Sequence, residues 1–304
     1  MKQTDRDSLH RFLFEQMPVR GEIVHLDASW RAAMEHVDYA PAVRDLLGDA
    51  MAASVLMAST LKFKGALTLQ LQGEGDLKLL VVQCGSDLNL RGLARLADEV
   101  DGLMLEDQQS RIEGRDIKSL AGDKARLVIT IEQDGEDERY QGIVPLEKET
   151  LAECFEDYFL RSEQLPTRMF LAANAETATG MLLQVMPGHE EDQAAWQHVT
   201  TLGETITGEE LARLDAETIL HRLYHEDDVR LFESAPVAFR CTCSRERIAD
   251  MLRSLGEKEI ESILAEQGSI GVSCEFCARE YLFDAVDAAA LFVDSVTASD
   301  KQSH

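Results

Sequence analysis

Leu67-Thr68-Leu69-Gln70-Leu71-Gln72 runs into Gly73-Glu74-Gly75-Asp76 and then into the apolar stretch Leu77 to Val82, and the architecture is read outward from this passage. Leu67, Leu69 and Leu71 alternate with Thr68, Gln70 and Gln72, the period of two that lays one face of a strand on a core. The glycine-rich tetrapeptide turns the chain into the second apolar run, so the passage predicts a β-hairpin. Gly73-Glu74-Gly75 lacks the third glycine and the following helix of a dinucleotide loop, which leaves it a turn. Leu127 to Ile131 and Arg139 to Val144, separated by Asp134-Gly135, predict a second hairpin. Upstream, Trp30 to Leu61 is rich in Ala, Met and Leu and reads as helix, with Pro41 opening a new one. Downstream, Leu151, Cys154, Phe155, Tyr158 and Phe159 recur at helical spacing and mark one buried stripe. Helices and hairpins interspersed in this way predict an α+β domain with a largely antiparallel sheet over residues 1–187.

From His189 to about Arg240 the texture changes. Acids crowd in at Glu190-Glu191-Asp192, Glu209-Glu210 and Glu226-Asp227-Asp228. Thr207 with Glu210 forms a capping box, and Asp215 caps a second helix with Ile219, Leu220 and Leu223 along one side. Short charged helices are marginal alone and need a neighbour to pack against. Residues 188–239 are therefore expected to be a metastable helical linker. His221 and His225 sit four apart, but with no third and fourth ligand nearby they read as an ordinary helix face.

The last stretch, residues 240–304, has its own logic. Cys241-Thr242-Cys243 and Cys274-Glu275-Phe276-Cys277 are two close pairs, separated by residues 244–273. Zinc takes four soft ligands in a tetrahedron, and each pair supplies one edge of it. Ser244 is the expected N-cap of a helix through Leu255. Gly256 breaks that helix, and Glu257 to Gln267 offers a second, stopped by Gly268. So small a module buries too little surface to fold unaided, and bound zinc contributes on the order of 10 kcal/mol, so site and fold stand or fall together. The tail from Ser299 to His304 is expected to be loose. Cys84 and Cys154, the remaining two of the six cysteines, read as small core residues.

Zinc keeps its sulfurs deprotonated, and the thiolate is the form that peroxide attacks on the way to a disulfide. A disulfide cannot ligate as two thiolates do, so oxidation ejects the metal. Sulfurs within a pair are close, which makes Cys241–Cys243 and Cys274–Cys277 the natural products. The C-x-C bridge closes a strained ring and is readily reduced again. A permanently closed zinc staple, acting as an adaptor, fits the same spacing. An iron–sulfur cluster and a thiol oxidoreductase using Cys274–Cys277 are further rivals, the last weakened by the missing thioredoxin-like context.

Composition excludes several classes. Fifty-six acids against 30 basic residues give a formal net charge of -26, which repels phosphate backbones and anionic membranes. No apolar run approaches the roughly 20 residues of a membrane span. Met1 to Asp7 carries acids where a signal peptide has an apolar run, so a cytoplasmic protein is expected. There is no Walker sequence, and Ser162-Glu163-Gln164 is not a nucleophile elbow. No enzyme activity is expected.

The chain also resembles the redox-regulated heat-shock chaperone family called the 33 kDa chaperonin, over essentially its whole length. The likeness rests on Arg11-Phe12-Leu13-Phe14-Glu15, Val19-Arg20-Gly21-Glu22 and Leu67 to Gly73, then on Tyr158 through Ser162-Glu163-Gln164-Leu165-Pro166-Thr167 and on Gly180 to Val185. It ends in the two cysteine pairs at the family's separation. The resemblance implies an ATP-independent holdase, inactive while reduced with one Zn2+ per chain on Cys241, Cys243, Cys274 and Cys277. Oxidation would release zinc, unfold the linker and expose apolar surface to unfolded or partially unfolded client proteins. The family's active, oxidised form is a homodimer. A net charge of -26 keeps a protein with exposed apolar patches soluble.

Overall fold

The computed structural model of the chain describes residues 6–60, 64–113, 115–135, 139–189 and 192–299. The chain is α+β and divides into two compact units, Met1–Arg240 and Cys241–His304.

The first unit carries nine main strands: Ser8–Phe14 (β1), Val19–Leu26 (β2), Gly65–Gln72 (β3), Leu77–Gly85 (β4), Asn89–Leu96 (β5), Arg126–Gln133 (β6), Arg139–Val144 (β7), Thr167–Ala173 (β8) and Ala178–Val185 (β9). Both predicted hairpins form. β3 pairs antiparallel with β4 from Ala66↔Gly85 to Gln72↔Leu79, and β6 with β7 from Leu127↔Val144 to Glu132↔Arg139. The turn after β3 closes through Gly73 N donating to Lys78 O at 2.9 Å. Where one sheet was expected there are two, ordered β5-β4-β3-β6-β7 and β1-β2-β9-β8.

Helix Pro41–Thr60 (α2) follows the shorter Ala28–Met34 (α1) and packs against strands of both sheets. Its run Ala50–Ala58 is buried on every side. A helix apolar all round belongs inside a core, which is what the Ala/Met/Leu-rich sequence encodes. Gly48 lets α2 approach β8, since a Cβ there would lie 2.5 Å from the Ala173 Cβ. Three short helices, Asp98–Asp101 (α3), Leu105–Ile112 (α4) and Ile117–Ala121 (α5), bring Val100, Ile112, Ile117 and Leu120 to the same core. Helix Leu151–Tyr158 (α6) starts at the Thr150–Glu153 capping box and buries Leu151, Cys154, Phe155 and Tyr158 as its stripe predicts.

A second apolar core lies on the other face of the β1-β2-β9-β8 sheet. Phe12, Phe14, Val19, Ile23, Met181 and Leu183 meet Val199, Leu211, Ile219, Leu220, Leu223 and Tyr224 there. The latter group comes from Gln193–Gly203 (α7), Gly208–Arg213 (α8) and Ala216–Tyr224 (α9). Caps place all three helices. Asp192 accepts from Ala195 N, Thr207 and Glu210 form the expected box, and Asp215 accepts from Thr218 N. With apolar matter on both faces, every residue of β9 is buried.

Beyond α9 the chain adds short strands at sheet edges. Val229–Leu231 (β10) and Ala235–Pro236 (β11) pair with β1, and Ala238–Phe239 (β12) runs parallel to β5. Segment 193–239 thus covers one face of one sheet and touches the edges of both.

The second unit is built from Arg245–Leu255 (α10), Glu257–Gln267 (α11), the hairpin Ile270–Ser273 (β13) with Glu280–Phe283 (β14), and Ala285–Ser299 (α12). Its helix ends fall where the sequence puts them. Ser244 accepts from Arg247 N, Gly256 breaks the chain at φ +91°, and Gly268 ends α11 in the left-handed region at φ +78°. The core is small: Ala249, Leu252, Ile260, Ile270, Tyr281, Phe283, Ala288 and Leu291 around Cys274. Ser299 is the last residue of α12, and the rest of the expected loose tail lies outside the described residues. Among the described residues, no helix is long and apolar enough to cross a membrane.

Candidate metal centre

Two backbone devices carry the four sulfurs. Cys241 and Cys243 occupy the extended segment that runs into the Ser244 cap, so the start of α10 fixes their position. Arg247, one turn into that helix, reaches back to Thr242 between them, with Nη1 donating to Thr242 Oγ1 at 2.7 Å and to Thr242 O at 3.0 Å. Cys274 and Cys277 sit in the tight connection between β13 and β14. Cys274 O accepts from Ala278 N at 2.7 Å, Cys274 N donates to Arg279 O at 3.0 Å, and Ala278 takes a left-handed φ of +51°. A non-glycine residue in that region is held by its surroundings.

The hairpin thereby folds its two sulfurs back over the first pair. All four Sγ atoms lie within 4.8 Å of one another. Contacts cross between the pairs, with Cys241 Sγ 3.6 Å from Cys274 Sγ and Cys243 Sγ 3.5 Å from Cys277 Sγ. A disulfide needs about 2.05 Å, and none of the six cysteines is joined in a disulfide. The edge of a tetrahedron of sulfurs around zinc is about 3.8 Å, from a Zn–S bond of about 2.3 Å. The spacing fits a four-thiolate cage for one metal ion.

The electrostatics point the same way. Burial opposes ionisation of Cys241, but hydrogen bonds from the Cys243 backbone and from the neighbouring thiols outweigh it and draw the Cys241 thiol down to about 7. Burial pushes Cys277 up to about 12, and its hydrogen bonds to Cys243, Cys241 and Cys274 hold its proton further. Cys274 is raised too, by burial and by its contact with Cys241. Without a cation the cluster stabilises one thiolate at the cost of its neighbours; a bound dication lets four ionise together. Backbone N–H groups of Phe276, Cys277 and Arg279 already favour the charged sulfurs.

The rest of the sulfur and imidazole inventory is ordinary. Cys84 and Cys154 are fully buried in the main core, and burial is the first cause raising both thiols, Cys84 to about 12. The rings of His221 and His225 lie 5.9 Å apart, and among the described residues the four-cysteine cluster is the one group of metal-capable side chains. Two contributors escaped the sequence reading. Arg247 shows no motif. Tyr281, whose hydroxyl donates to Cys243 Sγ at 3.1 Å, lies in Glu280-Tyr281-Leu282-Phe283, whose alternation directly after the C-x-x-C pair was the available signal.

Fold and sulfur cluster define the class: an α+β protein whose C-terminal module is organised by a four-cysteine site able to hold a metal ion. Known proteins narrow it. The sequence model of the family described as Hsp33 protein matches residues 7–284. The 33 kDa chaperonin of Methylobacillus flagellatus is 47% identical over 293 residues, covering 95% of this chain and 96% of its own. That of Shewanella denitrificans is 46% identical over 298 residues, covering 98% and 99%. The crystal structure of the 33 kDa chaperonin (heat shock protein 33 homolog) from Thermotoga maritima superposes with a TM-score of 0.79 at 22% identity, covering 96% of this chain and 99% of that one, and shares its fold. The chain belongs to the Hsp33 family of chaperones.

Proposed function

We propose that this protein is a redox-regulated, ATP-independent holdase, locked by one zinc ion on Cys241, Cys243, Cys274 and Cys277. The observation that carries the reading is the four sulfurs gathered at tetrahedral spacing with no disulfide among them. Zinc fits an all-thiolate, closed site, and supplies the charge that keeps four sulfurs ionised. The residues do the rest. Arg247 and the Ser244 cap orient the first pair, and the β13–β14 turn orients the second. A reduced cluster suits the cytoplasm.

Oxidation removes the lock. Two thiolates, one hydrogen peroxide and two protons give one disulfide and two waters, each sulfur losing one electron. A second equivalent oxidises the other pair. Cys241–Cys243 and Cys274–Cys277 are the expected bridges, because short loops close at least entropic cost once the cage no longer holds the pairs together. With the ligands gone, the small second core loses its main stabiliser.

Client binding follows from what segment 193–239 covers. Residues 188–239 act as a metastable linker between the core of residues 1–187 and the redox module of 240–304. Cys241, the first ligand, lies two residues beyond β12 in the chain, so loss of order at the cage frees the end of that segment. Release of α7–α9 uncovers Phe12, Phe14, Ile23, Met181 and Leu183, a contiguous apolar face of the kind that binds unfolded chains. Oxidised chains pair as homodimers, and no catalytic step is involved.

The test follows zinc release and aggregation of a heat-unfolded client in one sample during peroxide treatment at elevated temperature. Zinc loss together with suppressed aggregation, both reversed by a thiol reductant, is the expected result. Zinc loss without suppression, or equal suppression by the reduced protein, would show a structural staple instead.

A further inference from the structure

Tyr281 occupies a position where packing alone asks for a phenylalanine. β14 alternates, with Tyr281 and Phe283 inside and Glu280 and Leu282 outside. Pairing of Tyr281 with Val272 across the hairpin fixes its backbone. The ring is 9% exposed, in the small core around Cys274. Its hydroxyl adds nothing to that burial, yet donates to Cys243 Sγ at 3.1 Å. The contact ties the strand following the C-x-x-C pair to a sulfur of the C-x-C pair. That hydroxyl contact is the one hydrogen bond from Tyr281 to the cage among the described residues.

We propose that Tyr281 is a positioning residue of the metal cage, whose hydroxyl draws charge from the Cys243 thiolate and so retains the metal and shields that sulfur from electrophiles. The proposal rests on the four-thiolate reading given above and extends it to a residue outside the ligand set. A thiolate that accepts a hydrogen bond holds its lone pairs more tightly, which lowers its nucleophilicity and fixes the direction in which it faces the ion. Groups in this outer shell govern metal affinity by about 10- to 100-fold in other metal sites.

The test is Tyr281→Phe in the full-length, reduced protein, which keeps the ring and removes the one donor. Zinc stoichiometry and thermal unfolding control for folding. Transfer of zinc to a chromogenic chelator should be about tenfold faster in the variant. Iodoacetamide, which forms an S–C bond at a thiolate and expels iodide, should label Cys243 several-fold faster relative to Cys274 in the same chain, as read by peptide mass spectrometry. In the cobalt-loaded protein the sulfur-to-metal charge-transfer band should move to lower energy, because the sulfur is more electron-rich. A merely structural hydroxyl would leave the labelling ratio and the band in place.

If Tyr281→Phe does not fold, a monofluorinated tyrosine at position 281 tests the same point with the opposite sign. It is a stronger donor, so zinc transfer should slow. Unchanged transfer, labelling and spectrum in a metal-bound variant overturn the role of Tyr281 alone. A wild-type chain that binds neither zinc nor cobalt overturns the metal cage, and the role of Tyr281 with it.

Discussion

Ile219 offers the sharpest way to open the covering segment without touching a sulfur. It lies on α9, is fully buried, and packs in the second core that holds Phe12, Phe14 and Leu183. Ile219→Ala removes three carbons from that core, about 2.4 kcal/mol at about 0.8 kcal/mol per buried methylene. A cavity term brings the cost to about 3 kcal/mol. All of it falls in the second core, between the sheet and its helical cover, because the main core contains no residue of α9. At 1.4 kcal/mol per tenfold, opening of the segment becomes about 100-fold more frequent. Hydrogen exchange of the reduced, zinc-loaded protein reads this directly. Peptides from 193–224 should lose about two decades of protection, while β3 and β6 keep theirs and zinc stays bound. The variant should also suppress client aggregation partly without peroxide. Unchanged protection over 193–224, or an equal loss in β3 and β6, would refute the claim that this segment is a separately releasable cover.

Three further perturbations bear on other parts of the account. Cys274→Ser removes the most buried ligand, so zinc stoichiometry in the purified protein should fall well below one and proteolysis should cut within 241–292, with the sheets intact; full zinc occupancy would contradict the ligand assignment. Arg168 on β8 bridges Glu156 on α6, at 2.9 Å, to Glu204 at the end of α7; Arg168→Ala should loosen α7 by about 1 kcal/mol, less at high salt because the groups are partly exposed, and a salt-independent effect would rule out ion pairing as its cause. Asp49 on α2 is pushed up from its ordinary 3.8 to about 7 by burial and by Asp45, and its Oδ1 is buried without a partner. The folded state therefore holds the Asp49 proton more tightly than the unfolded one, so this contribution to stability is fully present below about 3.8 and is lost as pH rises through about 7. Asp49→Asn should raise the thermal midpoint at pH 8 and have little effect near pH 4; an equal shift at both pH values would refute the titration argument.

Much of this was legible in the residues because the signals are local. Leu67, Leu69 and Leu71 alternate, Gly73 and Gly75 turn the chain, and the hairpin follows. Thr207, Asp215 and Ser244 announce helix starts through side-chain oxygens that accept from the first turn. Four cysteines in two short spacings announce a cage, and the hairpin and helices between them bring it together. What was missed has non-local causes. Ala178–Val185 shows no alternation because both of its faces are buried, one against α2 and the other under α7–α9, and its partners β2 and β8 are set by contacts distant in sequence. Hence one expected sheet proved to be two. β10, β11 and β12 span two or three residues each, too few for any period, and form because an edge is available to them. The three helices of the segment, of which only those starting at Thr207 and Asp215 were expected, bury Val199, Leu211, Ile219 and Tyr224 almost completely. Their stability is borrowed from the sheet beneath, which single-helix patterns do not reveal.

The central claim is that loss of metal at the four sulfurs releases the cover from the sheet. Hydrogen exchange of one preparation, reduced with zinc and then peroxide-treated at elevated temperature with zinc release followed in parallel, tests it most directly. Protection should collapse over 193–239 and 241–292 as zinc leaves, persist over β3, β4 and β6, and return on reduction with zinc. Retained protection over 193–239 in fully oxidised, zinc-free protein would contradict the account.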